Sequence, residues 1–109
     1  MKKLILTTFL TLLSLAASAQ FNSGNKLLAD MNDTSSSVNR MHALGYVVGV
    51  VDSLNRIMFC IPSNATAGQL HDMVHNYLTA VPAIRHKPAD VIISDALGIA
   101  FPCPKGGGI

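Results

Sequence analysis

The residues best spaced for chemistry are His71 and His75, which lie four positions apart with Asp72 between them. Two histidines at this spacing share one face of a helix and can bind a metal ion together. A zinc hydrolase of the H-E-x-x-H kind also needs a catalytic Glu and a third ligand. Here Asp72 is one methylene shorter than Glu, and no third ligand is evident. We therefore expect a solvated helix face with no assigned metal ligand.

A small metal-binding protein that uses His71 and His75 is the alternative function, and a hydrolase built on H-D-x-x-H is a weaker one. Other catalytic patterns are missing. The chain contains no Glu, its serines lie outside any G-x-S-x-G context, and it has no glycine-rich phosphate loop. The residues thus predict a protein that binds a partner, not an enzyme, and that needs no cofactor.

The first 19 residues predict export. Lys2 and Lys3 precede an uncharged apolar run, and Ala17-Ser18-Ala19 follows it as an A-x-A cleavage site. The mature chain is then residues 20–109, in which six Lys and Arg balance six Asp. Neutrality argues against nucleic acid and against an electrostatic membrane anchor, because both require excess positive charge. No Cys follows the cleavage site, so lipoprotein anchoring is not indicated either.

Cys60 and Cys103 are the two cysteines of the chain. In an exported protein the default expectation is one disulfide between them. A small domain buries a modest fraction of its surface, so such a covalent link contributes substantially to its stability.

The hydrophobic pattern predicts an all-α fold, a small four-helix domain with one disulfide. The first helix covers Ser23–Asn32, and the second runs from a cap at Ser36 or Ser37 to about Leu54. We expect the second helix to be central and well buried, with Val38 and Met41 in its apolar stripe, although its valine-rich run at residues 46–51 could alternatively form a strand.

The third helix begins at a T-x-x-Q capping box, Thr66 to Gln69, and ends at Pro82. It has the clearest periodicity of the chain, with apolar residues from Leu70 to Val81 at helical spacing. Pro88 fits the first position of a fourth helix, which stops before Pro102.

Gly45 and Gly49 are placed on one face of the second helix. Each glycine costs about 1 kcal/mol relative to alanine within a helix. Their spacing therefore indicates close approach of another backbone, either within the fold or across a dimer.

Several segments together resemble the Rap1a/Tai family of type VI secretion immunity proteins. The resemblance covers the chain from Gly24 to Cys103. Its segments are Gly45-Tyr-Val-Val-Gly-Val-Val-Asp52, Phe59-Cys-Ile-Pro62, Thr66-Ala-Gly-Gln-Leu70, Tyr77-Leu78, Pro82, Arg85-His86, Pro88-Ala89, Ala96-Leu97 and Ala100-Phe-Pro-Cys103.

The resemblance implies a periplasmic helical protein, commonly a homodimer, that binds a cognate peptidoglycan amidase effector and blocks its active site. Many relatives have two more cysteines, where this chain has Met31 and Ala43, which puts in doubt how firmly the first helix is fastened to the second. Exposure and family analogy suggest an effector-binding set on the third helix and the turn after it. These candidates are Gln69, His71, Asp72, His75, Asn76, Arg85, His86 and Lys87.

Overall fold

The computed structural model describes residues 21–105, and within that range the fold is all-α. The helices are α1 (Gly24–Asn32), α2 (Ser37–Leu54), α3 (Ala67–Ala80) and α4 (Ala89–Ala100), with a short 3₁₀ turn at Pro82–Ile84. This architecture confirms the predicted four-helix fold. The proposed signal peptide, residues 1–19, lies outside the described residues. Among residues 21–105, no helix has both the length and the apolarity needed to span a membrane.

Three of the helices begin at side-chain caps, and the caps at Ser36 and Thr66 are among those that the sequence indicates. The hydroxyl oxygens of Ser23, Ser36 and Thr66 each accept a hydrogen bond from a backbone N–H three residues later, at 3.1 Å. Such caps satisfy one of the free N–H groups at a helix start. α4 differs from the prediction, because Pro88 is extended and precedes the first helical residue. The backbone of Pro88 forms an isolated antiparallel bridge with the backbone of Ser23, which holds the start of α4 beside the start of α1.

α2 is central, yet it is buried on a narrower stripe than predicted. Its buried residues are Ala43, Val47 and Val51, and α2 packs against all three other helices. Val38 and Met41 are 74% and 68% exposed, so their assignment to the core was wrong. The strand alternative for residues 46–51 was also wrong. The remaining core comes from α1, α3, α4 and the connection after α2, with side chains of Leu27, Met31, Phe59, Leu70, Val74, Leu78, Ala89, Ile92, Ile93 and Leu97.

The start of α1 closes against the turn before α4. The backbone N–H groups of Gly24 and Asn25 donate to the carbonyls of Lys87 and Arg85, at 3.0 and 2.8 Å. A Cβ on Gly24 would lie 2.5 Å from the Ile92 side chain and 2.9 Å from the Arg85 carbonyl oxygen. Only glycine permits this approach without displacement of backbone.

α1 is also fastened to α2, although the extra cysteines of relatives are missing. Met31 and Ala43, which stand where relatives have the extra cysteines, are both buried in the common core. Apolar packing therefore joins α1 to α2 at these positions. Asp33, in the connection, accepts hydrogen bonds from the Ser35 backbone and hydroxyl and from the Asn39 amide. The Ser35 hydroxyl and then Asn39 lower the pKa of this carboxyl below its ordinary value. The Arg40 guanidinium donates to the Asp33 carbonyl at 2.8 Å.

A disulfide joins Cys60 to Cys103 across 43 residues, which confirms the predicted pairing. The Cys60 N–H also donates to the Phe101 carbonyl at 2.9 Å. The segment after α2 is therefore fixed both covalently and by hydrogen bonding to the segment after α4.

We predict that the double substitution Cys60→Ala and Cys103→Ala lowers the free energy of unfolding by about 3–4 kcal/mol. The reason is that opening a loop of 43 residues restores conformational entropy to the unfolded chain. Urea unfolding followed by circular dichroism measures the difference. The wild-type protein unfolded under reducing conditions is the control, and it should match the variant. A loss below about 1 kcal/mol would contradict the prediction.

Candidate functional site

The two histidines lie on the flank of α3 that faces α1. The His75 Nε2 is 2.7 Å from the Asn32 Oδ1 at the end of α1, and the His71 Nδ1 is 3.2 Å from the Asp72 Oδ1. The His71 side chain is 24% exposed, and His75 is half-buried too. Both rings are therefore less solvated than expected, and His75 contacts the end of α1.

This geometry supports a structural contact better than a metal centre. In the part of the chain that the structure describes, no group of three His, Cys, Asp or Glu side chains could hold a metal ion. His75 already uses one ring nitrogen to join α3 to α1 through Asn32. Two histidines without a third protein ligand provide an incomplete zinc site.

The eight candidate effector-binding residues form two groups. Gln69, Asp72 and Asn76 are exposed along the outer face of α3, with the two histidines on its flank. The second group follows the 3₁₀ turn: Arg85 is half-buried, and His86 and Lys87 are exposed. Asn25 contacts Arg85 and Asn32 contacts His75, so the groups lie near opposite ends of α1, roughly 10 Å apart along its axis.

Arg85 is less available than the sequence suggested. Its Nε is buried without a hydrogen-bond partner among the described residues, and its carbonyl accepts the Asn25 N–H. The residue therefore fastens the turn to α1, while His86 and Lys87 provide the exposed polar groups of this connection.

A second surface lies on α2. An ideal Cβ on Gly45 or Gly49 has no neighbour within 4 Å, so the predicted close approach within the fold is wrong. An open groove of about 540 Å³ runs beside these glycines and includes Tyr46 and Asp90. Burial, and then the charge of Asp90, raise the pKa of the Tyr46 hydroxyl. Two backbone-exposing glycines beside a groove indicate a face that another molecule can approach closely.

The third surface was missed by the sequence reasoning, which treated the connection after α2 only as the carrier of Cys60. Ile57 and Met58 are exposed in a tight turn between α2 and the buried Phe59. One signal could have found them. Two adjacent large apolar residues in a connection, outside any helical periodicity, are unusual on the surface of a small protein.

We predict that zinc binds the wild-type protein no tighter than about 1 μM, because the site offers only two histidines. Calorimetry with zinc chloride on the wild type and on His71→Ala measures the affinity. Submicromolar zinc binding that His71→Ala abolishes would contradict the structural assignment of the pair.

We also predict that His75→Ala lowers the free energy of unfolding by about 0.5–1.5 kcal/mol, since the contact with Asn32 is lost.

Comparison with known proteins identifies the family to which the chain belongs. No curated protein matches the sequence. A family model described as Rap1a immunity proteins matches residues 23–103. The matched range contains α1 to α4 and both cysteines of the disulfide. The chain belongs to the Rap1a family of immunity proteins.

Proposed function

We propose that this protein protects its own cell by binding and inhibiting a peptidoglycan amidase delivered by type VI secretion. The observation that carries the proposal is the family match over residues 23–103. The absence of a three-ligand metal cluster among residues 21–105 is compatible with this function, because an inhibitor of this kind needs no reaction of its own. It needs a surface that covers the cleft of the effector and excludes the substrate.

The proposed site of action is the periplasm. Residues 1–19 would direct export and be removed after Ala19, which leaves a mature domain of residues 20–109. The disulfide supports this location, since such bonds persist in oxidising compartments and are rare in the cytosol. The peptidoglycan substrate of an amidase lies in the same compartment, so the inhibitor meets its target where damage would occur.

The polar candidates on α3 and the following turn are proposed as part of the effector interface. Protein interfaces combine an apolar, well-packed centre with a polar rim. The exposed side chains suit such a rim, whereas His71, His75 and Arg85 are partly engaged within the domain. The proposed rim residues are Gln69, Asp72, Asn76, His86 and Lys87, with His71, His75 and Arg85 beside them.

We predict that the full-length protein protects cells against the amidase encoded beside its gene when that enzyme is directed to the periplasm. Purified mature protein should bind the same amidase with a dissociation constant of about 10 nM or tighter, as in other enzyme–inhibitor complexes. Survival counts and calorimetry are the two measurements. A variant without residues 2–19 is the matched control, and it should bind in vitro yet fail to protect. Absence of both binding and protection would rule out this pairing.

Self-association through α2 is proposed as well. Val38, Met41, Gly45, Gly49 and Asp52 repeat on one face of the helix at its period of 3.6 residues. All five are exposed, and a Cβ added to either glycine would meet nothing within 4 Å. Each glycine destabilises the helix by about 1 kcal/mol relative to alanine. Close packing of a second copy against the two glycines would offset this loss.

An antiparallel pair is self-complementary if its two-fold axis passes through the exposed face of α2, midway between Gly45 and Gly49. It would place Gly45 opposite Gly49 of the second copy, so that two backbones approach closely. The same axis would place His42 opposite Asp52 of the second copy, which pairs an imidazole with a carboxylate. Two-fold symmetry repeats each contact, which is the usual arrangement of soluble homodimers.

We predict that Gly45→Ala combined with Gly49→Ala weakens the dimer at least tenfold while it stabilises the monomer by about 1–2 kcal/mol. The added methyl groups prevent close packing, yet alanine favours the helix. Sedimentation equilibrium measures association, and urea unfolding of dilute protein measures stability. Gly68→Ala on α3 is the matched control, because its Cβ also meets nothing within 4 Å. A monomeric wild-type protein at 100 μM, or a tighter dimer in the variant, would contradict the proposal.

A further inference from the structure

The chain enters the folded domain at Asn22. This residue is 9% exposed, and its carbonyl accepts the Ala89 N–H at 2.9 Å. Ser23 then bridges to the backbone of Pro88 and caps α1. Phe21, one residue earlier, is 88% exposed. The contacts that build the domain therefore begin at Asn22, and Phe21 stands largely in water.

The residue before this segment acquires new chemistry when the signal peptide is removed. Under the proposed processing after Ala19, Gln20 becomes the first residue of the mature protein. Its nitrogen, which is part of a peptide bond in the precursor, is then an α-amino group. Such a group titrates close to neutral pH, so a fraction of it is unprotonated and nucleophilic. Processing thus places a nucleophile and a side-chain amide on the same residue.

Glutamine has the side-chain length that brings these two groups together. Attack of the Gln20 nitrogen on its own side-chain carbonyl carbon closes a lactam ring of the same size as the ring of proline. Because both groups belong to one residue, the reaction is intramolecular and avoids the entropy loss of bringing two molecules together. Asparagine is one methylene shorter, and the same attack would give a smaller, strained ring.

We propose that Gln20 is a modification site, at which the mature protein cyclises to an N-terminal pyroglutamate. The α-amino nitrogen forms a bond to the side-chain carbonyl carbon, and the bond from that carbon to the side-chain amide nitrogen breaks. The proton lost by the attacking amine goes to the leaving group, which departs as ammonia. The step transfers no electrons and needs no co-reactant. The inference rests on the signal cleavage in the proposed function and goes beyond it.

The folded domain is compatible with this modification. Cyclisation uses only atoms of Gln20, so the contacts that hold Asn22 and Ser23 to the start of α4 remain in place. Phe21, which follows the ring directly, is largely in water. We therefore expect the modified and unmodified proteins to have the same Tm.

The ring changes how the start of the mature chain meets proteases. It removes the positive charge of the α-amino group, and with it the free amine that an aminopeptidase recognises. Chain termini ahead of the first fixed residue are preferred sites of proteolysis, and Phe21 lies in that position. Trimming past Phe21 would reach Asn22 and Ser23, which join α1 to the start of α4. Cyclisation thus protects this junction from stepwise removal.

The test examines the full-length protein after export and recovery from the periplasm. We expect an intact mass equal to that of residues 20–109 with the disulfide formed, less one molecule of ammonia. Stepwise N-terminal sequencing should give no signal. Treatment with pyroglutamyl peptidase should restore the signal, with Phe21 as the first residue read.

Gln20→Asn is the matched control, because it retains the α-amino group and a side-chain amide but is too short to close the ring. Its mass should show no loss of ammonia. Both proteins are then incubated with a purified aminopeptidase, and loss of Phe21 is followed by mass spectrometry. We expect Gln20→Asn to be trimmed at least about tenfold faster than the wild type, while the Tm values of the two intact proteins agree.

The outcomes separate the modification from the processing and from inhibition. A mature protein that begins at Gln20 and retains its ammonia would overturn cyclisation, while cleavage after Ala19 would stand. A mass that begins at any other residue would overturn the cleavage site and the modification together. Equal trimming of wild type and Gln20→Asn would overturn the protective role. None of these measurements uses the amidase, so failure of the proposed inhibition would be seen separately, as lack of protection by a correctly processed protein.

Discussion

The link between the two cysteines is the constraint on which the functional surfaces depend. Cys60 lies just after the end of α2 and Cys103 just after the end of α4. Their bond, the Cys60–Phe101 backbone hydrogen bond and the buried Phe59 side chain act on the same few residues. A small domain has limited apolar area with which to order its connections. The covalent link orders this one, and so holds the turn after α2 in place.

The domain separates contacts that build the fold from surfaces that are free to bind. The start of α1 fits against the turn before α4 with no space for a side chain on Gly24. The histidine flank of α3 is similarly engaged with α1 through Asn32. In contrast, the outer face of α2 and the turn after it expose apolar side chains and glycines. These two regions are the places where added contacts would remove apolar surface from water.

Under the proposed function the protein acts without chemistry of its own, because occupation of the effector's cleft would exclude the substrate. What such a protein must supply is rigidity and complementary shape, since disorder in the free inhibitor would be lost on binding at a cost in affinity. The features of this molecule agree with that requirement. Its turn after α2 is fixed by hydrogen bonds from both sides, and its helices begin at well-formed caps.

Local signals in the sequence were sufficient for the helices and the disulfide. The caps at Ser36 and Thr66 are decided by residues within one turn, so their hydrogen bonds could be predicted without the fold. The periodicity of α3 predicted its buried residues Leu70, Val74 and Leu78 for the same reason. The cysteine pairing followed from there being only two cysteines in a chain predicted to be exported.

Local signals did not decide which face of α2 is buried or what the glycines contact. Apolar residues lie on nearly every side of this helix, so periodicity could not identify the face that the neighbouring helices would cover. Val38 and Met41 proved exposed, and Gly45 and Gly49 proved open.

The sequence by itself thus determined the class of fold, the caps and the covalent link, because each depends on neighbouring residues or on a unique pair. Only the tertiary structure decided that His75 contacts Asn32 and that Ile57 and Met58 stand exposed on the turn after α2. Those outcomes depend on the relative placement of segments distant along the chain, which is set by the packing of the whole domain.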